Sequence, residues 1–443
     1  MWELEKTDAR PDTRGPGGPG WRAARPYRPL AALMLATSMA SFAALGALSL
    51  FARDELRASD TMVTVNFAVV ALASMVVLLA TGRFSDRRNV RPPIIAASLV
   101  WLGVGYAILA SVRSYPAMLA VGIVFFCAVG VPNAQLMAYA RDLVDRRNDT
   151  AASTAVIALM RIVLSVGSFA GFGIGGLGLA YLGARSLFGA VAVVCFGCAA
   201  LSWRLLRGGD DVATAPPRPA GDEHTGDQAG VRTRAAGGPQ LLLVLVVVMV
   251  LFSSGRVMQL SQLPILMRVS LHAPLQLTGF ALALPPLCEL VLMPAMAFAA
   301  MRWGRGTVFL VGGAASVAYY AGLVVVTTPG QLMLLQVVYA VFGAATVMVG
   351  IDLAQRLMAG RAGAATSMYL SHENVATVNG SVVATLSVAT LGHRLGFLVP
   401  GTLCLVALAL AAWAFIRHPQ AFDLRLTSAV ACRSGERGRR TRA

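Results

Sequence analysis

The segment TGRFSDRRNVRPP, residues Thr81–Pro93, separates two long apolar stretches and carries one aspartate and four arginines. Charge is otherwise scarce, since the 443-residue chain is 57% hydrophobic and 13% charged, where a soluble protein has about 25% charged residues. Apolar runs of roughly 20 residues, enough to cross the bilayer as a helix, occur about twelve times. These runs lack the alternating polarity of barrel strands, so the sequence predicts an all-α polytopic membrane protein.

The placement of the arginines predicts the orientation of the chain. Basic clusters precede the first apolar run and follow the second, fourth, sixth, eighth and tenth, so they share one side if the runs alternate. By the positive-inside rule that side is cytoplasmic. We therefore expect a multi-pass protein of the plasma or inner membrane, with both termini cytoplasmic. The net charge of +16 follows from this topology, and the expected partner is the lipid bilayer rather than nucleic acid.

Polar segments rich in Gly and Pro divide the chain into five parts. Residues 1–28 are predicted to be a disordered cytoplasmic arm, 207–239 a flexible cytoplasmic linker and 418–443 a basic cytoplasmic tail. The arm has no early apolar core and does not resemble a cleaved signal peptide. The linker leaves a predicted N-terminal six-helix bundle at 29–206 and a C-terminal one at 240–417. Two six-helix bundles joined by a long central loop are the layout of the major facilitator fold.

The opening segment resembles a motif of major facilitator transporters, G-x-x-x-D-R/K-x-G-R/K-R/K, that lies between their second and third helices. Gly82, Asp86 and Arg87 match it, whereas Asn89 replaces the second glycine and Val90 a basic residue. Asparagine tolerates the left-handed backbone that this glycine supplies. We expect Gly82 to allow a close helix approach, and Asp86 to accept from a helix N-terminus or an arginine. Contacts made in only one bundle arrangement would form a conformational latch, and the alternative is charge that only sets topology.

Three further segments resemble the sugar efflux transporter family. They are GALSLFARDEL at residues 46–56, QLMAYARDLVDRR at 135–147 and LMAGRAGAATSMY at 357–369. Arg161 and Glu289 also lie where that family tends to hold charge. The resemblance implies a secondary active transporter that exports sugars or glycosides in exchange for protons, without naming the substrate.

Ionisable residues inside the apolar runs are candidates for function, because charge is costly in a bilayer. Glu289 and Arg256 lie deep in consecutive runs, which could bring them together. The sequence does not tell whether they pair, and such a pair would be either structural or part of coupling. Burial disfavours the charged form of a carboxylate, which makes Glu289 the candidate proton carrier. Arg161 lies about two turns from the cytoplasmic end of its run, and we expect it to line a central cavity.

Sugar hydroxyls both donate and accept hydrogen bonds, so amide, carboxylate and aromatic side chains suit them. The apolar runs supply such groups, and each of them could equally join two helices. The predicted substrate-binding or coupling residues are Asn66, Gln135, Arg161, Arg256, Gln259, Gln262, Glu289, Gln336, Tyr339, His372, Glu373 and Asn374.

The sequence is also compatible with two other functions, and it lacks the motifs of an enzyme. A multidrug exporter on the same fold would suit the 18 Met and 18 Phe, and a receptor or scaffold that no longer transports would suit the incomplete motif. The sequence contains no zinc, P-loop or nucleophile pattern, so we expect no enzyme activity, no cofactor and no metal.

Overall fold

The computed structural model describes residues 27–88, 91–146, 150–207, 238–358, 365, 368–369 and 371–423. Within these ranges, twelve helices are long and apolar enough to cross a membrane, which confirms the predicted number. Most of the predicted arm, the central linker and the basic tail lie outside the described residues.

Six helices form the N-terminal half of the described chain. Proline in the first turn marks the start of the first and fourth, because proline has no N–H to leave unpaired there. The six are α1 (Arg28–Leu50), α2 (Asp60–Arg88), α3 (Arg91–Leu109), α4 (Tyr115–Val124 and Val131–Arg146), α5 (Thr150–Tyr181) and α6 (Ala184–Arg207).

Six more helices form the C-terminal half. The fourth of them begins at a capping box, in which Thr328 and Gln331 satisfy each other's backbone N–H groups. The six are α7 (Gly238–Ser253 and Arg256–Ile265), α8 (Leu275–Trp303), α9 (Arg305–Val325), α10 (Pro329–Leu357), α11 (His372–Leu395) and α12 (Leu398–Arg417).

Each half has its own hydrophobic core. Phe252, Phe309 and Phe415 belong to one large cluster that is built almost entirely from α7 to α12. Two clusters fill the first half, one around Phe51 and Phe188 and one nearer the start of α1. The cores of the two halves are largely separate, and the predicted architecture of two six-helix bundles is confirmed.

A seam of small residues joins α5 to α1 inside the first bundle. A Cβ on any of Gly167, Gly171 and Gly175 would press against α1, and for Gly171 it would lie 2.6 Å from the Met39 carbonyl oxygen. Without a hydrophobic force between helices in lipid, such close approach supplies the packing. The glycines recur every fourth residue because they share one face of the helix.

The two halves repeat each other in local backbone structure. Both α1 and α7 end in a π-helical turn, Phe51–Glu55 and Leu266–Ser270. A residue with positive φ follows each turn, Arg57 at 55° and His272 at 50°. The repeat extends to the loops, and it gives pairs of equivalent positions in the two bundles.

A second repeated element connects α5 to α6 and α11 to α12. The segments LGARSLF, Leu182–Phe188, and LGHRLGF, Leu391–Phe397, share leucine, glycine, arginine and phenylalanine at equal spacing. Gly183 and Gly392 both have φ of 78°, a conformation that glycine adopts without strain. The shared spacing of these four residues is visible in the amino-acid sequence without the structure.

The arginines of this repeated segment, Arg185 and Arg394, form hydrogen bonds to backbone carbonyl groups at the ends of neighbouring helices. Arg185 donates to the Ala110 carbonyl oxygen at 3.1 Å, and Arg394 donates to the carbonyl oxygens of Val324 at 2.9 Å and Val326 at 2.6 Å. Each arginine therefore satisfies carbonyls that α3 or α9 leaves unpaired at its C-terminal end.

The bundles meet on one side of the molecule. We call the side where α1 begins and α12 ends the terminal side, and the other the opposite side. On the opposite side, Gln262 donates to the Asp60 carbonyl oxygen at 3.2 Å, and His393 lies 3.2 Å from the Asp60 carboxylate. Gly176 of α5 and Gly279 of α8 also touch backbone to backbone there.

Candidate functional site

A cavity of about 370 Å³ lies between the bundles, within the size range of small-molecule sites. It is bordered mainly by α1, α2 and α4 of the first bundle, with α7 and α11 from the second. Its lining residues include Ser41, Phe42, Leu45, Asn66, Phe67, Ser74, Met75, Leu78, Tyr106, Phe126, Asn133, Arg256, Asn374 and Thr377.

A break in α7 presents Arg256 to this cavity. The helix stops at Ser253 and resumes at Arg256. Asn379 of α11 donates to the Ser254 hydroxyl at 2.7 Å, and a Cβ on Gly380 would collide with the Ser254 carbonyl oxygen. Irregular backbone at membrane depth needs such partners, because lipid offers none.

Arg256 pairs with Glu373 of α11 rather than with Glu289. Its Nη1 lies 3.4 Å from both carboxylate oxygens of Glu373, and both side chains are about half exposed. The pair of Arg256 with Glu289, which the sequence left open, is thus not formed in this conformation. Although α7 and α8 are consecutive in sequence, α7 packs on α11 and α12, whereas α8 packs on α10 and α5.

Glu289 faces α10 instead. A Cβ on Gly343 would collide with its Oε1, so a larger residue at Gly343 would force the Glu289 carboxylate to rotate away. Glu289 still interacts electrostatically with Arg256 and Glu373. Among the described residues no ion pair of Glu289 occurs, and three ionisable groups thus share the region beside the cavity.

Two of the predicted amides lie on the cavity wall. Asn66 and Asn374 both line the cavity, and the buried Oδ1 of Asn66 has no hydrogen-bond partner in this structure. An unsatisfied buried acceptor next to a cavity suits a ligand hydroxyl or water. Asn133, also on the wall, accepts from Thr37 at 3.0 Å.

Four other predicted residues lie away from the wall, three of them buried and Tyr339 half-buried. Gln259 donates to Gln336 at 3.4 Å, and Gln336 donates to the Tyr319 hydroxyl at 3.4 Å. The Tyr339 ring lies 4.7 Å from that of Tyr319. Gln262, the fourth, contacts α2. In this conformation these side chains join helices, the alternative that the sequence left open for each of them.

Gln135 and His372 also make structural contacts here. Ser85 of α2 donates to the Gln135 side chain in α4 at 2.8 Å. The His372 ring lies 2.6 Å from the Tyr369 carbonyl oxygen, and it is buried. Of the three consecutive polar residues that begin α11, His372 therefore faces the core, while the next two face the cavity region.

Arg161 is exposed and is not among the cavity-lining residues. The cavity lies nearer the middle of the helices than Arg161, which is about one-third of the way along α5. The expectation that it lines the cavity is thus not met in this conformation.

The predicted latch is only partly visible. The side chains of Asp86 and Arg87 lie outside the described part of the structure, so their role stays a prediction. A Cβ on Gly82 would meet no atom of the described residues within 4 Å, so among these residues the expected close approach does not occur in this conformation. Gly82 lies on the terminal side, away from the contacts between bundles.

Ion pairs near the latch follow the internal repeat. Arg91 at the start of α3 lies 2.5 Å from Asp142 near the end of α4. In the second bundle, Arg305 at the start of α9 pairs with Asp352 near the end of α10, and with Asp423 beyond α12 at 3.0 Å. These pairs tie helices within a bundle. Sequence reasoning missed them, although the arginines occupy equivalent positions in the two halves.

No group of three or more His, Cys, Asp or Glu side chains that could hold a metal occurs among the described residues. What the arrangement offers is a central cavity with amides, one arginine and two carboxylates beside it, enclosed by two separate bundles. This combination defines a multi-pass membrane transporter.

Comparison with known proteins gives the family. Residues 30–261 and 245–424 match the model of the Major Facilitator Superfamily, and the chain belongs to that superfamily.

Two curated relatives support the resemblance to sugar efflux transporters and are transporters rather than enzymes. The chain is 24% identical over 365 residues to Sugar efflux transporter A of Dickeya chrysanthemi, covering 82% of this chain and 89% of that protein. It is 26% identical over 367 residues to Sugar efflux transporter A of Escherichia coli K12, covering 82% and 90%.

Solved transporter structures share the fold. The chain resembles the nucleoside transporter NupG, with a TM-score of 0.67 and 13% identity, covering 87% of this chain and 98% of that one. It resembles the peptide transporter POT in complex with sulfate, with a TM-score of 0.69 and 13% identity, covering 89% and 94%.

Proposed function

We propose that this protein exports sugars or glycosides across the cell membrane by alternating access. The observation that carries the proposal is the cavity between the bundles, where Asn66, Asn374 and Arg256 offer donors and acceptors beside Glu373. A sugar hydroxyl needs both kinds of partner. Similarity to proteins named sugar efflux transporters supports the substrate class.

In this proposal the terminal side is cytoplasmic, as the arginine clusters indicate. The bundles touch on the opposite side through Asp60, Gln262 and His393, while on the terminal side no atom of the described residues lies within 4 Å of a Cβ placed on Gly82. The structure then corresponds to an inward-open state, in which the substrate enters from the cytoplasm. Rocking the bundles about the cavity would expose it to the other side.

Glu289 couples export to protons in this proposal. While Arg256 pairs with Glu373, Glu289 has no ion pair among the described residues, and burial in the membrane favours its neutral, protonated form. If a local movement of α7 at its break between Ser253 and Arg256 carries Arg256 from Glu373 to Glu289 during the transport cycle, the charged form of Glu289 is favoured and the proton leaves. The two states would then hold the proton with different affinities, which is all that coupling requires.

Transport by purified protein in vesicles, with and without a pH gradient, tests this step. Wild type should accumulate a labelled sugar uphill, up to about tenfold for one proton per sugar and one pH unit. Glu289→Gln should only equilibrate the sugar. Glu55→Gln is the matched control, because Glu55 pairs with Arg185 on the opposite side, away from the cavity. Wild-type export indifferent to the gradient, or uphill accumulation by Glu289→Gln, would refute proton coupling.

The cavity also favours a second candidate, export of drug-like compounds. Its wall is largely apolar and includes Phe42, Phe67, Met75 and Phe126. Asn374→Leu separates the two: for a sugar exporter it should raise the KM for sugar severalfold, and for a drug exporter it should leave dye export intact. A chain that moves neither a labelled sugar nor any dye in vesicles would instead be a receptor or scaffold.

A further inference from the structure

The internal repeat allows equivalent positions at the opposite side to be compared between the bundles. Counting from the π-helical turns Phe51–Glu55 and Leu266–Ser270, Asp60 at the start of α2 is equivalent to Leu275 at the start of α8. The sequence of the first bundle thus places a carboxylate where the second has an apolar side chain.

The second departure from the repeat is a histidine. In the shared segment of leucine, glycine, arginine and phenylalanine, His393 occupies the position that Ala184 has in the first bundle. These two residues, which both differ from their equivalents in the other bundle, are in contact: His393 Nδ1 of α11 lies 3.2 Å from Asp60 Oδ2 of α2. Each bundle supplies one member of a pair that the repeat itself does not contain.

Polar contacts that the repeat does preserve stay inside one bundle. Arg185 and Arg394 each donate to carbonyls of their own bundle. The equivalent arginines on the terminal side, Arg91 and Arg305, pair with carboxylates of their own bundle. Contacts within a bundle persist when the bundles move as units, whereas a contact between bundles exists only while they touch on that side. The repeated contacts therefore stabilise each bundle. The contact of Asp60 with His393 is present only in the conformation in which the bundles touch on the opposite side.

The surroundings of the pair allow it to open and close. Arg53 of the first bundle lies 2.5 Å from the Asp60 carboxylate, and Ser270 of the second lies 3.0 Å from His393 Nε2. Both Asp60 and His393 therefore keep a partner in their own bundle when they separate. Removing the only partner of a buried charge is costly, and these retained partners limit that cost. Gln262, which donates to the Asp60 carbonyl oxygen, would separate from α2 in the same movement.

We propose that Asp60 and His393 form a gate that holds the opposite side closed while the cavity is open at the terminal side. With about a quarter of each side chain exposed, the pair is shielded enough to contribute, yet accessible once α2 and α11 part. The inference rests on the alternating access in the proposed function, and it is independent of the substrate.

Distances between spin labels across the gate test the proposal. Labels at Ser59 and Leu395, both exposed on the opposite side, are introduced into a chain whose cysteines are replaced, and distances are measured without substrate. His393→Ala and Asp60→Asn should raise the ratio of open to closed opposite side by roughly fivefold or more. His393→Arg, which places a cation opposite the Asp60 carboxylate, should stay closed.

Glu55→Gln is the matched control, since it removes the ion pair with Arg185 on the same side but within one bundle. It should leave the distances unchanged. If His393→Ala or Asp60→Asn lacks a cooperative thermal unfolding transition, Gln262→Ala is measured instead. It removes the hydrogen bond across the bundles to the Asp60 carbonyl oxygen and should also open the side.

Unchanged distances in the gate variants, or equal opening in Glu55→Gln, would overturn the gate. Because no substrate is present, opening in the variants supports the gate even if the protein moves no sugar. Conversely, sugar export by the wild type with unmoved labels in the gate variants would refute the gate and leave the proposed function standing.

Discussion

Gly176→Ala should open the opposite side by wedging α5 away from α8. A Cβ on Gly176 would lie 2.6 Å from the Gly279 Cα and 2.9 Å from its nitrogen. Carbon atoms pack at about 3.5–4.0 Å, so the helices would have to part by roughly 1 Å. Both clashing atoms are backbone, and no side-chain rotation relieves the contact.

The expected magnitude follows from the cost of overpacking. A methyl group forced into a packed contact costs about 1–3 kcal/mol. Here it raises the free energy only of the state in which the bundles touch on the opposite side. Such a difference multiplies the ratio of open to closed molecules by about 5–150. Introducing alanine into a helix also stabilises it by ~1 kcal/mol relative to glycine, but it does so in both states.

Spin-label distances between Ser59 and Leu395 measure that ratio. Gly197→Ala in α6 is the control, because a Cβ there would meet nothing within 4 Å. It shares the gain in helix propensity without the clash, and should leave the distances unchanged. The reasoning fails if Gly176→Ala keeps the short distance of the wild type, or if Gly197→Ala lengthens it equally.

Three more predictions concern topology, the latch and the broken helix. A cysteine at Asp222 in the linker should react only from the cytoplasmic side of a cysteine-free chain, and labelling from outside would reverse the orientation. Asp86→Asn should slow transport while substrate affinity stays within a few-fold, whereas a large loss of binding would make Asp86 a residue of the fold. Gly380→Ala should lower the free energy of unfolding by about 1–3 kcal/mol, because its Cβ collides with the Ser254 carbonyl oxygen; an equal shift in Gly189→Ala, where space is open, would contradict this.

The sequence by itself determined the membrane class, the number of helices and the division into two bundles. These properties follow from length, hydropathy and the spacing of charge, since a bilayer accepts only segments that pair their own backbone groups. The glycine seam of α5 is also readable in the sequence, because Gly167, Gly171 and Gly175 recur at every fourth position and share one helix face. Two pairs of equivalent arginines, Arg185 with Arg394 and Arg91 with Arg305, were readable in the sequence, but their contacts were not predicted from it.

Which side chains meet was decided by the tertiary structure. Sequence order suggested that Arg256 would pair with Glu289, but helix packing puts Glu373 beside it. Most of the predicted amides proved to join helices, because a polar residue in a helix looks the same whether it faces a neighbour or a cavity. The contact of Asp60 with His393 joins residues from different bundles, and no local pattern encodes it: it arises only where two independently packed bundles are brought together.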